Sequence, residues 1–299
     1  MGVSKIKFLP FYIISVLPFS GLYLLSDILF ISAYYLIKYR RGVVRENLLT
    51  SFPDKSQNEI LSIEKRYYRH LCDIVVESVK LLTISKRSIE RRFKLKDKEI
   101  IDQLYRDNKS IILYTSHYGN WEWLAFLPLF LTHKVTAFYR PLSNKYFDQL
   151  TKLIRTRFGV LCIESKTGYK TLLNFKEDNI ISLNCIIGDQ SPPTGENCYW
   201  TMLLHRETAF YSGAEKIAKR LNDTVVYPNF KKLNRGYYEV SFRIIEEFPQ
   251  QMTNHSITDK YAQILEEQIL EVPELWLWSH KRWKLTKREK TNTSLQLIS

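Results

Sequence analysis

The chain has 299 residues, 45% of them hydrophobic, with 10 glycines and 10 prolines, so it can bury the core of one large domain or two small ones, and a disordered chain is excluded. Its 44 lysines and arginines against 31 aspartates and glutamates leave a formal charge of +13, which favours nucleic acid, an acidic protein or an anionic membrane face as partner. Cys72, Cys162, Cys185 and Cys198 show no CxxC spacing and no cluster with histidine, which argues against a zinc site and against a disulfide framework. They read as reduced thiols in a cytosolic environment, with Cys162 and Cys185 as small core residues of strand-like runs.

The first element narrows the choice of partner. From Phe8 to Ile37 the sequence carries a single charge, Asp27, and exceeds the ~20 residues that span a ~30 Å hydrocarbon core. Pro18, Ser20 and Gly21 interrupt it near the middle. It is too long for a signal peptide and no small-x-small cleavage site follows it. A kinked transmembrane helix, a re-entrant or interfacial hairpin and a buried helix pair all fit. Lys38, Arg40, Arg41 and Arg45 follow the segment against Lys5 and Lys7 before it, so the positive-inside rule puts the main body in the cytoplasm. A basic body at an anionic leaflet explains the charge better than nucleic acid does. Residues 1–40 therefore read as a membrane-anchoring segment, 41–286 as a single domain and 287–299 as a flexible polar tail.

After the anchor, Arg45 to Leu49 reads as one helical turn, Phe52-Pro53-Asp54 as a break, and Ser56 to Leu82 as a helix with Ile60, Ile63, Tyr67, Leu71, Ile74, Val75 and Val79 on one face. Lys86 to Lys98 reads as a charged, solvated connector. Strand-like runs at 111–116, 135–140, 160–163, 180–187 and 224–230 then alternate with helical runs near 120–132, 143–158, 168–177 and 210–221. This alternation predicts an α/β fold with a mainly parallel sheet flanked by helices. Asn234-Arg235-Gly236 signals a turn into a strand at 237–245 that pairs back as a hairpin. A helix from Thr258 to Leu270 and the aromatic run 273–284 close the domain.

The stretch around His117 bears the chemistry. It leaves a strand as His117-Tyr118-Gly119-Asn120-Trp121-Glu122, and on one continuous helix His117 and Glu122 would lie about 140° apart. Gly119 and Asn120, the latter a favoured N-cap, allow a turn that brings the carboxylate under the imidazole as a general base with its orienting partner. A structural histidine satisfied by a local bond is the plainer alternative. Arg140 and Asp189 fall at the ends of neighbouring strand runs, the edge where open α/β sheets place their sites. Tyr118, Trp121 and Trp123 could wall an apolar groove.

With Tyr139-Arg140-Pro141-Leu142, Arg157-Phe158-Gly159, Asp189-Gln190, the run from Pro273 to Lys284 and Arg45-Glu46-Asn47-Leu48, these residues resemble the lipid A biosynthesis lauroyl/myristoyl acyltransferases of the lysophospholipid acyltransferase superfamily. The resemblance extends over nearly the whole chain in the family's motif order. It implies His117 as general base, Glu122 as its dyad partner, and Arg140 and Asp189 beside them, with Tyr118, Asn120 and Trp121 toward substrate. It also implies an acyl carrier protein thioester as donor, an anionic glycolipid acceptor, an inner-membrane location facing the cytoplasm, and neither cofactor nor metal. Gly195 to Trp200 is more polar than the family pattern, and His205-Arg206-Glu207 replaces a small Gly-Arg-Pro-like turn; both departures bear on the acceptor. The rival classes are an acyltransferase for another lipid, a non-catalytic lipid-binding protein and a nucleic-acid-binding protein, the last disfavoured by the apolar N-terminus.

Overall fold

The computed structural model describes residues 3–192 and 198–285. A 3-10 turn, Val3–Phe8, leads into α1 (Leu9–Val16) and α2 (Phe19–Ile31), which ends in a π-helical turn, Ser32–Leu36. Pro18 separates the helices because its ring holds Leu17 before it extended, at ψ 143°. α3 (Arg41–Ser51) is eleven residues long, not the single turn expected, and packs on α4 (Gln57–Lys80). Glu64, fully buried on α4, receives Arg41 and Arg45 from α3 and explains why those arginines are ordered into the helix.

α4 starts at a capping box. Glu59 N–H donates to the Ser56 hydroxyl and the Glu59 carboxylate accepts the Ser56 N–H at 2.8 Å. Its inner face buries Ile60, Ile63, Tyr67 and Ile74 as the spacing predicts, while Val75 is exposed. The same face buries Glu64, His70, Asp73 and Glu77.

The charged connector at 86–98 is a correction. It folds as α5 (Lys86–Arg92), β1 (Phe93–Leu95) and the start of α6 (Lys98–Arg106). Arg92 is buried because Phe19 and Tyr237 stack on its guanidinium at 3.6 and 4.4 Å and Gly236 O accepts from it. Sequence charge alone does not reveal aromatic partners 73 and 145 residues away.

The remaining strands are β2 (Ile111–Thr115), β3 (Lys134–Tyr139), β4 (Leu161–Glu164), β5 (Ser182–Ile187), β6 (Tyr199–Leu203), β7 (Arg206–Phe210), β8 (Thr224–Asn234) and β9 (Tyr237–Glu246). α7 (Lys145–Thr156), α8 (Gly168–Glu177), α9 (Gly213–Leu221) and α10 (Ser256–Glu271) lie among them. The main sheet has the order β1-β9-β8-β2-β5-β3-β4, parallel throughout except for the β8/β9 hairpin, which is the hairpin the sequence predicts. β2 is buried at every position, as an unbroken apolar run in a covered parallel sheet should be. The 120–132 helix is instead a long 3-10 segment, Trp121–Leu129, with Pro128 inside it.

The helix expected from 210 begins at Gly213 because the preceding residues pair as a separate β6/β7 hairpin. Leu204 and His205 turn it, both at positive φ, the conformation a two-residue hairpin loop needs. The expected tail 287–299 and residues 195–197 of the 195–200 loop lie outside the described residues.

Between α4 and the sheet, Glu77 is fully buried and accepts from Tyr23 of α2 (3.0 Å), Asn120 (2.6 Å) and Tyr238 of β9 (3.0 Å). Burial, and then Asp73, push its pKa up to about 7, against the opposing pull of Lys232 and the two tyrosines. A carboxyl raised on folding stabilises most at pH below its ordinary value, and that contribution is lost as pH climbs toward 7. Glu77→Gln should therefore gain stability relative to the wild type as pH rises from 5 to 8, read from denaturant midpoints at each pH.

Candidate functional site

β2 and β5 pair in parallel from Ile111↔Leu183 to Thr115↔Ile187. The same register carried two residues past each strand sets His117 opposite Asp189, and Gly188 N–H still donates to Thr115 O at 3.0 Å. Gly188 is glycine because a Cβ there would stand 2.2 Å from the Tyr114 ring. Asp189, buried, takes the His117 backbone N–H on Oδ2 and the ring Nδ1 on Oδ1, each at 2.8 Å, and the Trp276 indole N–H at 2.9 Å. Burial pushes the Asp189 pKa up, but the His117 charge with the bonds from His117 and Trp276 outweighs it, and the net shift is down. An ionised carboxylate only accepts, so in the neutral ring Nδ1 carries the proton and Nε2 keeps a lone pair. Nε2 faces Gln190 Nε2 at 3.4 Å, and the His117 side chain is 14% exposed.

The turn after His117 is braced on both sides. Tyr118 bridges Trp276, Gly119 N–H donates to Leu275 O and Leu277 N–H donates to His117 O, at 3.0 and 3.1 Å. This gives the C-terminal aromatic run a function: it is a backbone splint for the histidine loop. From the other side His70 Nε2 bonds Gly119 O at 3.1 Å. Gly119 has φ +64° and a Cβ there would come within 2.8 Å of Phe230, so no other residue fits without strain.

The other site residues named from the sequence are distributed differently from expectation. Glu122 does not hydrogen-bond His117; its carboxylate receives Arg155 from α7 in a two-bond fork, 3.0 and 2.7 Å, and the Trp121 indole at 3.2 Å. Burial pushes the Glu122 pKa up, yet Arg155, followed by His117 and Trp121, brings it below its ordinary value. Trp121 stands edge-on to His117 with centroids 5.0 Å apart. Asn120 holds the N-cap position of the Trp121–Leu129 segment but makes no side-chain cap bond: it is buried and donates inward to Glu77. Tyr118 is buried with its hydroxyl on Val272 O. Arg140 is exposed just past β3, on the wall of a polar cavity it shares with Glu122, Lys152 and Arg155. Next to that cavity Trp121, Leu124, Val135, Phe138, Val160 and Ile187 line an apolar cleft whose polar end is Glu122 with Arg155.

Arg155, Trp276, His280 and Arg282 belong to this site and were not singled out from the sequence. Asp148, Lys152 and Arg155 form a charged stripe at three- and four-residue spacing on α7, which is the signal that could have exposed Arg155. His280 Nε2 accepts Ser191 N–H at 3.0 Å and so clamps the chain just past Asp189; burial lowers its pKa to about 4. Arg282 is buried against Phe210 at 4.5 Å, and among the described residues none of its side-chain nitrogens has a hydrogen-bond partner. Burial lowers its pKa to about 10 against the opposing pull of Asp189. Cys185 lines the apolar cleft, but burial pushes its thiol up to about 12, which disqualifies it as a nucleophile at neutral pH. Among the described residues no cluster of His, Cys, Asp and Glu could hold a metal ion.

An imidazole with a buried carboxylate on Nδ1 and the Gln190 amide 3.4 Å from Nε2, at the carboxyl edge of a mostly parallel sheet and beside an apolar cleft, is an arrangement able to carry general-base chemistry on an α/β fold. The family model for bacterial lipid A biosynthesis acyltransferases matches residues 7–285, and the chain belongs to that family. It is an acyltransferase. No curated protein matches it in sequence.

Arg155 is the sole ion-pair partner of Glu122 among the described residues. Arg155→Ala should cost about 1–3 kcal/mol in chemical denaturation by leaving a half-buried carboxylate unpaired, and adding Glu122→Leu should restore much of it.

Proposed function

We propose that the enzyme moves a fatty acyl chain from an acyl carrier protein thioester to a hydroxyl of a lipid A precursor by direct attack, with His117 as the general base. The observation that carries this is the Asp189 bond to Nδ1, which fixes the tautomer and leaves Nε2 as the one ring atom able to take a proton. The acceptor oxygen forms a bond to the thioester carbonyl carbon as its proton passes to Nε2. The tetrahedral oxyanion then expels the thiolate, which recovers the proton from the imidazolium. Asp189 stabilises that imidazolium and holds the ring; it is a positioning residue.

Glu122 with Arg155 forms the polar lip of the apolar cleft, which suits an acyl chain in its depth and a thioester at its mouth. Arg140, exposed at the neighbouring cavity, suits an anionic substrate group, and the +13 charge suits both an acidic carrier protein and a phosphorylated glycolipid. Trp121 faces the reacting groups. Tyr118 and Asn120 shape the loop from within. The chemistry asks for no cofactor. One helix, Phe19–Leu36, is long and apolar enough to cross a membrane, and the reading places the enzyme at the inner membrane with its catalytic side toward the cytoplasm.

Mass spectrometry of lipids from membranes supplied with acyl carrier protein of several chain lengths tests this reading. His117→Ala should lower kcat by about 10²–10⁴-fold. Asp189→Asn should lower kcat by a comparable factor with KM little changed, and Glu122→Gln should act mainly on KM. If Glu122→Gln matches the loss in His117→Ala while Asp189→Asn is near wild type, Glu122 is the partner of the base. Absence of acyl transfer to any lipid by the wild type would overturn the proposal.

A further inference from the structure

The N-terminal helices are bound to the body along their length. On α2, Leu22, Ser26 and Phe30 form a buried stripe at four-residue spacing, continued by Tyr34, and α1 and α2 both pack on α4. Polar contacts follow the same stripe. Tyr23 donates to Glu77, Ser26 donates to Asp73 at 2.8 Å, and Asp27 pairs with Arg235 of the β8/β9 turn at 2.7 Å. At the end of α1, Lys80 donates to Ser15 O and Leu17 O at 2.8 and 2.7 Å.

If α2 crossed a bilayer in this arrangement, Asp73, Glu77, Lys80 and Arg235 would enter hydrocarbon with it, where charged side chains are strongly disfavoured. Freeing α2 to cross alone would break its bonds to Glu77, Asp73 and Arg235.

The opposite face is bare and apolar: Ile13 and Val16 of α1, Leu24 and Ile28 of α2 and Leu36 beyond it are each more than half exposed. Basic side chains rim it. Lys38 and Arg40, both exposed, follow its last turn.

We infer that α1 and α2 lie in the plane of an anionic lipid bilayer, with this face in the boundary between headgroups and acyl chains, and that neither helix spans it. The inference rests on the reading of the enzyme as one that takes a membrane lipid as acceptor. It fixes that reading's geometry: the body sits on one side of the lipid, with both ends of α2 at the same depth.

The test uses the full chain with Cys162 and Cys198 replaced by serine and a fluorophore on a cysteine at Ile13, Leu24, Ile28 or Leu36, one at a time. Vesicles contain phosphatidylglycerol and quencher lipids of graded depth. All four labels should report one shallow depth of about 5–10 Å. A profile with Ile28 near the bilayer centre and Leu36 shallow would mean spanning and overturn the inference. Absence of quenching, with self-association lost in Leu24→Asp, would show that a second copy covers the face and would overturn it too.

The double variant Leu24→Asp with Ile28→Asp should bind the vesicles at least tenfold more weakly while keeping acyl transfer to a detergent-dispersed acceptor. Vesicle binding equal to that of the wild type would overturn the inference. Loss of transfer by the wild type itself to the dispersed acceptor would count against the catalytic reading alone, since the label depths stand independently of it.

Discussion

The parallel register of β2 against β5 is the constraint on which the site depends. Ladder bonds between two buried strands decide that His117 and Asp189 emerge side by side, 72 positions apart in sequence and one hydrogen bond apart in space. A slip of the pairing by one residue would turn the side chains of one strand to the other face and part the two. The His117–Asp189 geometry is therefore as secure as the sheet's central pair, and Gly188 lets the chain pass Tyr114 without losing that alignment.

Around this pair the protein places polar groups where a core would ordinarily be apolar. α4 contributes His70 to the back of the Gly119 turn, Glu77 to Asn120 and Asp73 to Arg235, so one helix holds the histidine loop, the N-terminal helices and the β8/β9 turn together. Such groups are costly to bury unless satisfied, and His70, Asp73 and Glu77 each have hydrogen-bond partners. The C-terminal run completes the enclosure from the other side through Trp276 and the backbone bonds of Leu275 and Leu277.

Much of the fold was legible because it depends on local pattern. The alternation of apolar strand runs with helical stripes gave the parallel sheet and its late hairpin, and the edge rule brought His117 and Asp189 to one end of it. What escaped depended on partners far along the chain. Arg92 reads as solvent-facing until Phe19 and Tyr237 are seen on it, and β6/β7 is hidden because its turn is Leu204-His205, with none of the glycine or asparagine that usually marks such a loop. The short interval between His117 and Glu122 drew attention to the nearer carboxylate. The nearer carboxylate in sequence is not the bonded one, because strand pairing acts across the sheet while spacing acts along the chain.

The two other histidines closest to the site are both kept uncharged. His70 is pushed well below its ordinary pKa by burial and then by Lys232, although its bond to Gly119 O opposes this, and His280 is lowered mainly by burial. Neither can become a second imidazolium at neutral pH. On the proposed mechanism neither competes with His117 for the acceptor's proton, and the hydrogen bonds that His70 and His280 make around the loop are those of neutral rings.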